Sequence, residues 1–231
     1  MVYWELKIVK MYRTVFLLSG SIIFFGCSDI EKNIIQLPYY NEPTFTPVFV
    51  DKKGAIAVNI KHTISDFAFL DQDSSLVTQK TIENKIHVAN FIFTSCGSIC
   101  PTMTRNLKLV SDSLKNDPEV VFLSYSVTPW IDKPGVLKKY KKRNDIQNKN
   151  WHFLTGSKAA IYTLARKSYF AEEDLGFTKD STEFLHTEHF ILVDKNKRIR
   201  GIYNGTLVLE MQQLVEDINT LKKDLNRGNG L

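Results

Sequence analysis

Cysteine is nearly missing from this chain. Its 231 residues include 3 cysteines, and their placement does not suit purely structural roles: Cys27 closes an N-terminal apolar stretch, and Cys96 and Cys100 stand side by side. Strong charge is missing too. The formal net charge is +5, and with Lys7, Lys10 and Arg13 set against Glu5 in the first 27 residues, +3 remains for the rest. That surplus is too small and too scattered for nucleic-acid binding. Internal repeats and low-complexity tracts are absent. A composition 43% hydrophobic and 24% charged excludes a fully disordered chain. The length suits one domain with extensions.

The N-terminus reads as an export signal. Lys7, Lys10 and Arg13 make a basic region, and Thr14 to Phe25 run uncharged and largely apolar. This run is shorter than the roughly 20 residues of a comfortable membrane span. It ends in Phe24-Phe25-Gly26-Cys27-Ser28, which resembles a bacterial lipoprotein cleavage site at which Cys27 becomes the acylated first residue. Phe stands at both positions where a Leu and a small residue are usual; an uncleaved anchor helix is the other reading, and Met11 is an alternative start. Either way the domain sits on the extracytoplasmic, periplasm-facing side of a membrane in the cell envelope. There, free thiols oxidise unless they are kept reduced or bound to metal. Residues 1–27 are thus a signal or anchor, residues 28–55, with Pro38, Pro43 and Pro47, a tether, and residues 56–231 the folded domain.

Within that domain, strands alternate with helices. Residues 62–70 and the turn Asp71–Ser74 suggest a short hairpin. Ile86–Phe93 is a near-continuous apolar run, as expected of a central strand covered on both faces. Pro101 followed by Met103, Leu107, Val110 and Leu114 marks a helix with one apolar stripe. Val120–Val127 is the next strand, residues 134–143 a basic helix, Trp151–Leu154 a short strand, and Ser157–Ser168 a helix opened by a serine cap. His189–Asp194 and Ile199–Tyr203 pair as a hairpin across Lys195–Lys197, and Leu207–Leu225 closes the chain as a helix. This order predicts an α/β, thioredoxin-like fold: a central mixed sheet flanked by helices, with an N-terminal hairpin extension.

Cys96-Gly-Ser-Ile-Cys100-Pro101 falls where the central strand gives way to a helix. A helix N-terminus stabilises a thiolate through its unpaired N–H groups and dipole. Cysteines at i and i+4 share a helical face about 5–6 Å apart, so both sulfurs can reach one ion. Thiolates are soft ligands, suited to Cu(I), zinc or iron–sulfur centres. The same pair can close a disulfide, so spacing alone leaves redox and metal roles open. Phe184-Leu-His186-Thr-Glu-His189 offers a third donor ahead of the late hairpin. His62, His87 and His152 read as structural or surface, Met103 as core, Trp130 as a loop residue at the site border or on a partner surface, and Lys138–Arg143 as a solvated face or an acidic partner's contact.

Phe93-Thr-Ser-Cys96-Gly-Ser-Ile-Cys100-Pro101 resembles the signature of the Sco/SenC family, copper-binding proteins of cytochrome c oxidase assembly. Further likeness lies in Asp66-Phe67 with Asp71-Gln72-Asp73, in Ser126-Val-Thr-Pro-Trp-Ile-Asp132-Lys-Pro134, and in the late His-Thr followed by Leu-Val-Asp and Arg-Ile-Arg-Gly. The resemblance covers most of residues 60–225. It implies copper, as Cu(I) or Cu(II), bound by Cys96, Cys100 and one distant histidine. The family's histidine precedes Ser or Thr and stands eight residues before the hairpin Asp. His186 meets both conditions, through Thr187 and Asp194, and His189 is the second choice. The chain departs from the family at Gly97 and Ser98, where Pro and an acidic residue are common, at Thr128, often Asp, and at Lys197, usually Gly.

Three functions follow. The first is a membrane-tethered copper metallochaperone that loads the dinuclear copper site of a cytochrome c oxidase subunit. The second is a thiol–disulfide reductase acting on that subunit's cysteines, with Cys96 as nucleophile and Cys100 as resolving thiol. The third, a thiol peroxidase, fits poorly: Thr94 stands two residues before Cys96 rather than three, with no evident arginine partner.

Overall fold

A computed structural model describes residues 37–50, 56, 58–114, 117–171 and 187–228. The leader, Cys27, residues 28–36 and 51–55 of the tether, and His186 lie outside the described residues. Strand β5 (Ile86–Ile92) is buried along its whole length, as its unbroken apolar run requires. It pairs in parallel with β6 (Val120–Ser126), which pairs in parallel with β7 (Trp151–Leu154). On its other side β5 pairs antiparallel with β8 (His189–Val193), and β8 with β9 (Ile199–Asn204). Two short strands, β1 (Tyr39–Tyr40) and β2 (Pro47–Val48), complete a seven-stranded sheet in the order β2-β1-β9-β8-β5-β6-β7. A separate hairpin of β3 (Ala68–Leu70) and β4 (Leu76–Thr78) joins it through a bridge between Leu70 and Thr155.

The sheet's pleat divides the core in two. Ala89, Phe91, Leu123, Tyr125 and Ile191 face one side, where they meet the β3–β4 hairpin (Phe69, Val77) and α3 (Lys158–Lys167; Ile161, Leu164, Ala165). Ile86, Val88, Ile92, Phe122 and Leu192 face the other. There they meet α1 (Cys100–Ser113; Met103, Leu107, Val110), α2 (Pro134–Arg143; Leu137, Tyr140) and α4 (Val208–Gly228; Met211, Leu214, Ile218). Helices on both faces of a mixed sheet, with a parallel β5-α1-β6 unit at the centre, make the thioredoxin-like arrangement predicted from sequence. Met103 is fully buried among apolar side chains, a core residue.

Two local details differ from the sequence reading, and a third gives it a backbone conformation. Tyr39–Val48, assigned to the tether, adds two strands to the sheet edge. Buried Arg200 holds it there: Nε donates to the Pro38 carbonyl at 2.9 Å, Nη2 to the Leu37 carbonyl at 2.7 Å, and the guanidinium lies 3.8 Å from the centre of the Tyr39 ring. Ser157 does precede α3, but its side chain makes no capping hydrogen bond. In the β8–β9 turn, Lys197 takes the glycine place with φ of 61°, the left-handed conformation that side-chain-bearing residues rarely adopt. Its Nζ is anchored 3.0 Å from Asp66.

Candidate metal centre

β5 ends at Ile92, and the chain makes a tight turn closed by the Cys96 amide donating to the Phe93 carbonyl at 3.3 Å. α1 starts only at Cys100. The two cysteines therefore do not share a helical face, as their spacing had suggested: Cys96 belongs to the turn and Cys100 is the first helical residue. Pro101 follows at the position where its missing N–H costs no helical bond. Neither cysteine is in a disulfide; Cys96 is half-buried and Cys100 is 6% exposed.

The turn brings the sulfurs together by a different route. Ile99, which caps α1, offers no polar side chain, and the Cys96 sulfur takes up the orphan donors in its place. Partial burial of Cys96 opposes ionisation. The N–H groups of Cys100, Ser98 and Ile99 and the Cys100 thiol all point to its sulfur, outweigh that burial, and hold its pKa below the ordinary thiol range. Cys100 behaves in the opposite way: desolvation dominates and pushes it up to about 12, despite a hydrogen bond from the Phe93 amide to its sulfur. Cys96 is thus the more readily ionised thiol of the pair and Cys100 the protected one.

Several groups border the pair. Tyr140, on α2, has its hydroxyl 2.7 Å from Thr104 Oγ1 on α1. Burial raises the Tyr140 pKa, and the nearby cysteine charges add to the rise. Arg143 stacks over the Tyr140 ring at 5.3 Å and reaches the Thr94 carbonyl at 3.4 Å, so the basic helix adjoins the cysteine turn. Trp130 and Ile131, each 50% exposed, lie in the loop after β6. The same loop contains Asp132, which is wholly buried and accepts hydrogen bonds from the turn. In the sequence Asp132 stands out only as part of the Ser126–Pro134 stretch, because a loop aspartate reads as solvated unless its donors are known.

Four histidines lie among the described residues. His62 is hydrogen bonded to the Ser168 carbonyl at 2.7 Å and packs on Phe170. His152 pairs with Asp71 at 3.1 Å. His87 lies fully buried, bonded to the Tyr169 hydroxyl at 3.1 Å. His189 stands edge-on to Phe45 at 5.9 Å between ring centres. Among the described residues no three His, Cys, Asp or Glu side chains converge as a metal cluster. Two soft sulfurs fit a thiophilic ion such as Cu(I).

A two-thiol turn at the strand-to-helix junction of a thioredoxin-like sheet defines a protein built for soft-metal binding or thiol exchange. Residues 58–223 match the SCO1/SenC family model, and the chain belongs to that family. It is a family of copper-binding proteins involved in cytochrome c oxidase assembly. Among solved structures, the chain is similar to a SCO1/SenC family lipoprotein from Bacillus anthracis (28% identity, 70% of this chain and 95% of that one, TM-score 0.62). It is also similar to BsSco, a Sco-family cytochrome c oxidase assembly protein in which a disulfide switch has been identified (30% identity, 70% and 94% covered, TM-score 0.60). Bradyrhizobium japonicum ScoI, solved with copper bound, shares the fold (23% identity, 69% and 98% covered, TM-score 0.54).

Proposed function

We propose that this protein is a copper carrier of the cell envelope, held to a membrane by its N-terminus, which delivers copper to the dinuclear copper site of a cytochrome c oxidase subunit. The observation that carries the reading is the pairing of Cys96 and Cys100 at the head of α1, where three backbone N–H groups favour a thiolate on Cys96. Cys96 and Cys100 are the sulfur ligands. His186, which follows the family's spacing to Asp194, is the imidazole ligand, with His189 second. Lipidation at Cys27 supplies the anchor, and the lipoprotein among its structural relatives supports that placement. No helix of the described residues is long and apolar enough to cross a membrane.

Copper leaves such a site by ligand exchange. An incoming thiolate of the partner adds to the ion as one resident donor departs, so no free ion is released. Half-exposed Cys96 is the donor that can exchange first, and buried Cys100 the one that holds on. The test is Cu(I) competition on the full-length chain, reduced and purified in detergent. Wild type is expected to hold one copper per chain. Cys96→Ser, Cys100→Ser and His186→Ala should each weaken binding by more than the roughly ten- to a hundredfold that loss of an outer-shell partner costs, the serine variants most. Unchanged affinity in either serine variant would sink the carrier reading.

The opposed thiol pKa shifts favour a second activity at the same site, reduction of a disulfide in the oxidase subunit. Cys96 thiolate attacks one sulfur of the target disulfide and expels the other as a thiolate. Cys100 then attacks Cys96, closing the protein's own disulfide and releasing the reduced target. A mixed disulfide trapped in Cys100→Ser, and not in Cys96→Ser, is the expected signature.

A further inference from the structure

Asp132 is a carboxylate with no exposed surface, and the mechanism above makes no use of it. Its Oδ1 accepts the Thr94 hydroxyl at 2.6 Å. Its Oδ2 accepts the Thr94 amide at 3.2 Å, the Ser126 hydroxyl at 2.7 Å and the Thr128 hydroxyl at 2.9 Å. Ser126 is the last residue of β6, and its hydroxyl also accepts the Thr128 amide at 3.1 Å. The carboxylate is therefore fixed to the end of the central sheet on one side and to Thr94 on the other.

Thr94 is the second residue of the turn that starts at Phe93 and ends at Cys96. Both its amide and its hydroxyl are committed to Asp132. The turn's two ends each bear on a sulfur: the Phe93 amide donates to Cys100, and Cys96 carries the other thiol. Gly97, just beyond, meets nothing within 4 Å of where a Cβ would stand. Thr94 thus ties the turn that carries Cys96 to the end of the central sheet.

We propose that Asp132 is a positioning residue for the dithiol, holding the Phe93–Cys96 turn so that the two sulfurs stay within reach of each other. This deepens the copper-carrier reading and rests on the same two thiols. The quantity it governs is the effective concentration of one thiol at the other, which sets both disulfide closure and two-sulfur binding of one ion. In closure, the dithiol passes two electrons and two protons to one glutathione disulfide; a protein S–S bond forms and two glutathione thiols are released.

The experiment measures that equilibrium constant for the full chain in a Cys27→Ser background, at a temperature where melting curves show each variant fully folded. Asp132→Asn keeps the size but removes the charge and replaces one acceptor oxygen with an NH₂ donor, so the four donors can no longer all be met; it should lower the constant about tenfold. Thr94→Val, which deletes only the hydroxyl donor, should lower it about threefold, and Thr94→Ser should restore it. A role confined to stability would lower the melting temperature and leave the constant of the folded protein unchanged. Constants within twofold of wild type in both Asp132→Asn and Thr94→Val overturn the proposal; should Asp132→Asn fail to fold, Thr94→Val decides alone. No copper enters this measurement. A wild type that binds no copper, with a constant that still falls in the variants, refutes the carrier and leaves the positioning intact.

Discussion

Two buried polar groups lie at opposite ends of the same pair of central strands and are treated in opposite ways. Beyond the C-terminal ends of β5 and β6, Asp132 meets four donors and leaves neither oxygen unpaired. Near the N-terminal end of β5, His87 is bonded through Nε2 to Tyr169, whose hydroxyl lies 3.1 Å from that of Tyr125, while His87 Nδ1 has no partner. The contrast follows from charge. A buried carboxylate persists only if hydrogen bonds replace its hydration, whereas an imidazole can stay neutral and tolerate one unmade bond. The fully paired cluster is also the one that adjoins the cysteine turn.

The largest effect expected from that contrast is at Asp132. Asp132→Ala should lower unfolding stability by roughly 3 kcal/mol in urea titrations, because it orphans several buried donors at once. His87→Leu should change stability at pH 7 by less than about 1 kcal/mol, since it removes an imperfectly bonded polar group and keeps an apolar neighbourhood. A cost at His87 equal to that at Asp132 would break the comparison.

pH sharpens it. Burial drives the His87 pKa from 6.5 down to about 3. The folded state thus holds His87 neutral while the unfolded chain binds a proton below 6.5. The associated stability is present in full above pH 6.5 and is lost as pH falls towards 3. Between pH 6.5 and 4 the loss amounts to at most roughly 3 kcal/mol. His87→Leu should lack this component and show a flatter acid limb in stability measured across that range. A smaller effect is expected of Tyr169→Phe, which removes the hydroxyl between His87 and Tyr125 and should cost about 1 kcal/mol.

Much of this architecture is legible in the amino-acid order, and the parts that are not share a cause. β5, β6 and β8 announce themselves as largely apolar runs, since both faces of those strands are covered. α1 shows Pro101 and an apolar stripe. Cys96 and Cys100 stand out because the chain has so little other cysteine. Strands β1 and β2, at two residues each, are too short to carry a pattern. What places them is Arg200, more than 150 residues away along the chain. Asp132 is hidden for the same reason: its burial depends on donors from Thr94, Ser126 and Thr128, which only the folded sheet brings together. The start of α1 at Cys100 rather than Cys96 follows from a turn closed by backbone groups, to which side-chain patterning is blind.

The most direct test of the central claim is X-ray absorption at the copper edge of the Cu(I)-loaded full-length chain, comparing wild type, His186→Ala and His189→Ala. Two sulfur donors and one nitrogen are predicted for wild type and for His189→Ala, and two sulfurs without that nitrogen for His186→Ala. A nitrogen donor that survives in His186→Ala, or copper bound without both sulfurs, would contradict the account.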